Sequence, residues 1–185
     1  MPEKTKIITD AELAVMSLLA EEPMHGYQIE QMVEERGMRD WTNIGFSSIY
    51  YILEKLGKIG WLDNVLKQGQ GKGPARQIFY LTPSGEIAWK KAVIDAISHP
   101  HRSSSNFQLG LANLLYLEKE EITSALKENV KELQQRHQYV LNRFASYGDN
   151  LPWNVSAMFD LSLTQIRTEM NWIKAFIKEV DSQLS

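Results

Sequence analysis

The chain has 185 residues, 43% of them hydrophobic, enough for one large domain or two small ones around a packed core. It has no cysteine, which excludes disulfides and thiolate metal sites and fits a reducing cytoplasm; the opening MPEKTKIITDAE lacks a signal-type apolar run, and no stretch nears the roughly 18 apolar residues of a membrane span. The net charge of −3 is uneven: −5 over residues 1–40 (four Lys/Arg against nine Asp/Glu), +4 over 41–91 (seven against three) and −2 over 92–185 (nine against eleven).

Thr9 with Glu12 reads as a capping box that opens a helix with the apolar set Leu13, Val15, Met16, Leu18 and Leu19, stopped by Pro23. A second, short helix runs from His25 to Arg36, with Ile29, Met32 and Val33 as its stripe and Gly37 at its C-terminal end. Ser47 can cap a third helix, SSIYYILEKLGKIG, whose core face is Ile49, Ile52, Leu53, Leu56 and Ile59 and whose other face shows Ser48, Tyr51, Lys55 and Lys58; Gly60 closes it. WLDNVLK and ARQIFYL then read as two strands joined by the glycine-rich, basic loop QGQGKGP. Thr82 followed by Pro83 starts a helix through EIAWKKAVIDAI, because the hydroxyl can cap it and proline suits the first helical position.

The Pro/Ser-rich stretch from His99 to Ser105 is the expected boundary: residues 1–98 as one domain, 99–105 as linker and 106–185 as a second. In the second, Ile122, Leu126, Val130, Leu133, His137, Val140, Phe144 and Tyr147 recur at steps of four and three, the pattern of a long amphipathic helix. After LPW a final helix from Asn154 is apolar on more than one stripe. Its Ile166, Met170, Ile173, Ile177 and Val180 form a seam expected to meet a second copy of the chain.

Three helices, a strand, a glycine-rich loop, a strand and a helix give the order of a winged helix-turn-helix. The expected fold is mainly α with a small β wing, followed by an all-α dimerisation domain. In this reading KQGQGKGPARQIFYLTPSG is the wing: its glycines let backbone approach another surface, and Lys67, Lys72 and Arg76 meet phosphates. Asn43, Ser47 and Ser48 are small or polar at the start of the third helix, as base-edge contact requires, and Tyr51 and Lys55 follow on its exposed face. A basic middle between acidic flanks suits a polyanionic partner, and equally a solvated surface without one. Enzyme chemistry finds no support. His25, His99, His101 and His137 are scattered, there is no HExxH, and the GQGKG loop lacks the Lys-Ser/Thr that places a nucleotide phosphate, so neither metal nor cofactor is expected.

The segments LAVMSLLAEEPMHGYQI, FSSIYYILEKLGKIGWL and GPARQIFYLTPSGE, continued by NFQLGLANLLYLEKEEITSAL, resemble the PadR family of winged-helix transcriptional regulators over nearly the whole chain. One departure is Ser48, where the family usually has threonine. The resemblance implies a dimeric, DNA-binding repressor that recognises a pseudo-palindromic duplex, with Tyr27, Ser47, Ser48, Tyr50, Lys72 and Arg76 as DNA-contact residues. Each of Tyr27 and Tyr50 also has a plain reading as a core-edge aromatic, and Arg76 as the partner of a strand neighbour. The family also suggests release by a small aromatic acid. Side-chain chemistry then offers Trp153, Phe159 and Trp172 as walls and Arg167 or His137 as an anchor, or else ordinary core aromatics beside a surface charge. A winged-helix module used for protein contacts is the alternative function.

Overall fold

The computed structural model describes residues 8–42, 44–45, 48–67, 76–100, 106–148 and 151–183. The chain divides into two compact units, residues 1–102 and 103–185.

The first unit opens with α1 (Asp10–Glu21), whose capping box forms as its sequence suggests: the Thr9 hydroxyl accepts the Glu12 amide, and a Glu12 carboxylate oxygen accepts the Thr9 amide. Ala14, Val15, Met16, Leu18 and Leu19 are buried, while Leu13 is only half-buried; its place inside is taken by Glu12. A two-residue strand, β1 (Met24–His25), precedes α2 (Gly26–Glu35), so the second helix starts one residue later than expected, with His25 as its cap. Gly37, at φ 59°, makes the left-handed turn that ends α2 and leads into a short 3-10 turn, Met38–Asp40. α3 (Ser48–Lys58) buries Ile49, Ile52, Leu53 and Leu56, and Gly60 follows it at φ 77°.

β2 (Leu62–Lys67) and β3 (Arg76–Leu81) form an antiparallel hairpin with Lys67 opposite Arg76, and β1 adds to the free edge of β3 through Met24↔Phe79 and His25↔Ile78. The sheet order is β1-β3-β2. Of β2 only Leu62 is buried, so the hairpin leaves the core as it lengthens. α4 (Pro83–Ser98) is capped by Thr82, whose hydroxyl accepts the Gly85 amide at 3.1 Å. Trp89 ties α4 to α1 by donating its indole N–H to Ser17 at 3.1 Å.

The second unit holds α5 (Asn106–Leu111), a 3-10 turn (Leu114–Tyr116), α6 (Lys119–Ser146) and α7 (Trp153–Gln183). α6 and α7 are antiparallel: Lys119, at the start of one, donates to the backbone of Asp181 near the end of the other at 3.1 Å. Between them Ile122, Leu126, Val130 and Leu133 pack against Ile166, Ile173 and Val180, with Met170 and Ile177 half-buried beside them. The stripe expected as a dimer seam is thus largely occupied within one chain. Ile166, Met170, Ile173, Ile177 and Val180 face α6 of their own chain, and a side chain such as Ile173, 0% exposed within one chain, has no surface left for another. Both helices carry the four-three spacing, and the short connection between them lets α6 supply the partner stripe first.

Candidate nucleic-acid interface

The exposed edge of the first unit is built from the starts of α2 and α3 and the loop end of the paired strands β2 and β3. α2 cannot begin with a larger residue than Gly26 without displacing a neighbour: a Cβ there would lie 2.7 Å from Cε1 of Tyr50. Glycine thus lets the Tyr50 ring cross the start of α2, and the ring remains 60% exposed. Tyr27, one residue on, is 68% exposed, and Tyr51 is exposed as well. Tyr27, Tyr50 and Tyr51 therefore present most of their surface to solvent rather than filling the core edge.

Ser48 begins α3 with its hydroxyl donating to the Gly45 carbonyl at 2.5 Å, closing the turn before the helix. At the loop end of β3 Arg76 has no carboxylate partner among the described residues; its guanidinium Nη1 lies 3.4 Å from His25 Nε2. Lys67 is opposite it in the strand register. Gly26, Tyr50, Tyr27, His25, Arg76 and Lys67 are linked by successive contacts into one edge, with the His25 and Tyr27 rings 6.3 Å apart. Asn43, Ser47 and Lys72 lie outside the described residues.

Lys55 points elsewhere. It pairs with Glu12 of α1, and that contact raises its pKa. Lys58 pairs with Glu54 at 2.5 Å along the same helix. Among the described residues, the cations of the edge without an acidic partner are therefore on the hairpin, and α3 contributes hydroxyls. A cleft of about 320 Å³ separates α3 from the hairpin, and Glu54 and Asp63 in its lining make it unfavourable ground for a phosphate.

The reading of the sequence opened the second helix at His25 without making it the cap, because histidine is not among the preferred caps, and a glycine beside a tyrosine does not show which ring it admits.

The five residues considered for an effector do not assemble in one chain. Phe159 meets Phe144 and Tyr147 at centroid distances of 5.1 and 5.7 Å, whereas Trp172 stacks on Phe176 at 5.1 Å and meets Phe107 edge-on at 6.1 Å. At 1.5 Å per residue these two aromatic groups are about 20 Å apart along α7. Trp153 and Arg167 are exposed and His137 is half-buried on α6. Among the described residues no three of His, Asp and Glu gather as a metal would require, and no described helix is long and apolar enough to cross a membrane.

A three-helix head with an antiparallel hairpin between its third and fourth helices defines a winged helix-turn-helix protein, here followed in the chain by a separate helical domain. Residues 15–91 match the model of the Transcriptional regulator PadR-like family. The fold is similar over both domains to Bacillus subtilis PadR in complex with operator DNA (17% identity, 91% of this chain and 98% of that one, TM-score 0.73). It is also similar to Bacillus subtilis PadR in complex with p-coumaric acid (16%, 92% and 98%, TM-score 0.74) and to the Vibrio cholerae virulence activator AphA (16%, 94% and 99%, TM-score 0.72). At these identities the likeness establishes the fold. No curated protein sequence matches the chain.

Proposed function

We propose that this chain is a non-enzymatic, sequence-specific DNA-binding repressor. It acts as a homodimer, with residues 1–98 binding DNA and residues 106–185 contributing to dimerisation. The observation that carries the reading is the edge on which exposed Tyr27, Tyr50 and Tyr51, the start of α3 and the unneutralised Arg76 and Lys67 come together. Aromatic hydroxyls and cations beside a helix N-terminus suit phosphate and base-edge contact, and a purely protein-binding module has no need of cations without acidic partners. Lys72, together with Asn43 and Ser47, extends the same proposal from sequence. A second copy would place two such edges on a pseudo-palindrome, with half-sites one helical turn, roughly 34–36 Å, or a multiple apart.

Release by a small planar acid is a further part of the proposal, supported by the likeness in fold to a protein solved with p-coumaric acid. The five-residue pocket is not.

The test is fluorescence anisotropy with duplexes tiled across the DNA flanking the protein's own gene. One duplex bound at least a hundredfold more tightly than a shuffled control supports sequence-specific binding. Uniform affinity for all duplexes, or none, removes the operator reading and leaves the protein-contact module.

A further inference from the structure

We infer that His25 and Arg76 form a two-donor clasp for one phosphate oxygen of bound DNA, in which each side chain donates one hydrogen bond to that oxygen. The inference rests on the DNA-binding reading and adds a contact that the sequence did not offer.

The argument begins with the ring of His25. Its Nδ1 accepts the backbone N–H of Gln28 at 2.9 Å and so caps α2. A neutral imidazole whose Nδ1 is an acceptor carries its proton on Nε2. The same Nε2 lies 3.4 Å from Nη1 of Arg76. Arginine has only donors, so the two nitrogens at this contact are both donors and cannot satisfy each other. Their separation, at the outer limit of a hydrogen bond, agrees with that. Such a pair is completed by one acceptor bonded to both, and an anionic oxygen suits it best because the guanidinium is charged.

Backbone holds the two residues in place. His25 is paired with Ile78 in the β1–β3 register, and Arg76, two residues before Ile78, projects from the same face of β3. The clasp adjoins Tyr27, and through Gly26 it adjoins Tyr50, so an oxygen held there lies on the edge proposed to meet DNA.

The cap and the clasp can be separated by substitution. Asparagine is among the best caps and can replace Nδ1 at the start of α2, but it is too short to supply the Nε2 donor. The probe is a fluorescein-labelled mixed-sequence duplex of about 30 base pairs, which reads phosphate contacts without an operator, titrated with the full chain over a range of NaCl concentrations. His25→Asn should melt close to the wild type and bind roughly five- to tenfold more weakly at each salt concentration. Arg76→Ala should flatten the plot of log affinity against log salt by about one. In the Arg76→Ala background, His25→Asn should cost clearly less than it does alone, since the oxygen would no longer be held between two donors.

Wild-type affinity in a stably folded His25→Asn would overturn the clasp, as would an undiminished effect of that change on top of Arg76→Ala. If competition by inorganic phosphate matched by chloride at equal ionic strength separates wild type from His25→Asn while duplex binding does not, the site is one for a free anion and the DNA clasp is wrong. A wild type that binds no duplex even at low salt fails at the earlier step and takes the DNA-binding reading down with it.

Discussion

Glu12 of α1, 4% exposed, accepts the Thr9 amide with one carboxylate oxygen and the Lys55 ammonium of α3 with the other. One side chain thereby closes the first turn of α1 and ties that helix to the helix proposed to enter a DNA groove. Burial is the largest influence on the Glu12 carboxyl and pushes its pKa up. Hydrogen bonds from Lys55 and Thr9, with the ammonium's charge, together outweigh it and hold the carboxyl below the ordinary value of 4.5.

The pH dependence follows from that direction. A carboxyl lowered in the folded state adds stability that is fully present above pH 4.5 and is lost as the pH falls below it toward the folded-state value. Glu12→Gln should lower stability at pH 7 by about 1–3 kcal/mol, the scale of a lost hydrogen bond to a charged group. It should also lose less on acidification from pH 5 to 3 than the wild type does. Thermal melts of both proteins across that range check it; parallel acid limbs would mean that Glu12 is not linked to folding.

Gly85 is required by backbone, not by a side chain. A Cβ at this position would lie 2.0 Å from the carbonyl oxygen of Trp61, beside the contacts by which the Thr82 and Ser84 hydroxyls donate to the Gly60 carbonyl at 2.7 and 2.9 Å. Neither backbone can yield without parting α4 from the start of β2. Gly85→Ala should therefore cost at least the 1–3 kcal/mol typical of overpacking, read as a lower denaturant midpoint of the first unit. Wild-type stability would show that the α4 start is free to shift.

Gly26→Ala should behave differently. The group that its methyl meets is the outer end of the exposed Tyr50 ring, which can swing away at small cost to the fold. Stability should change by less than about 1 kcal/mol, while affinity for duplex DNA falls because Tyr50 leaves its place on the edge. Anisotropy titrations beside thermal melts separate the two effects. A large loss of stability with DNA affinity intact would reverse the assignment.

Where the fold was legible, a local signal was sufficient. Thr9 with Glu12 marked α1, Gly37 and Gly60 marked helix ends, and Thr82 with Pro83 marked α4, each by chemistry contained within a few residues. What escaped depended on partners far along the chain. β1 is two residues long and exists because Met24 and His25 lie against Phe79 and Ile78. Lys55 reads as a solvent-facing cation until α1 brings Glu12 to it. The α7 seam was visible as a seam, but periodicity names no partner, and α6 carried a matching stripe. The edge of Tyr27, Tyr50 and Arg76 was legible as residues; that Gly26 admits Tyr50 and that His25 meets Arg76 required the fold.

The reassigned seam changes where a dimer can form. With Ile173 committed to α6, Ile173→Ala should destabilise the second unit by about 2–5 kcal/mol, the cost of truncating a large buried side chain, without selectively separating subunits below its melting temperature. Beyond Trp153 at its start, α7 presents Met158, Leu161 and Trp172 to solvent, and at 100° per residue these three fall within about 60° of one another, to one side of the buried stripe. Leu161 alone is 57% exposed. A stripe of this kind left in water favours association, and a charge at its middle opposes it. Leu161→Glu should therefore lower the sedimentation coefficient from that of a dimer to that of a monomer at micromolar concentration, with the helical signal and melting temperature largely kept. Sedimentation velocity of both variants decides the matter: a dimer that survives Leu161→Glu but dissociates in a still-folded Ile173→Ala would return the interface to the original seam.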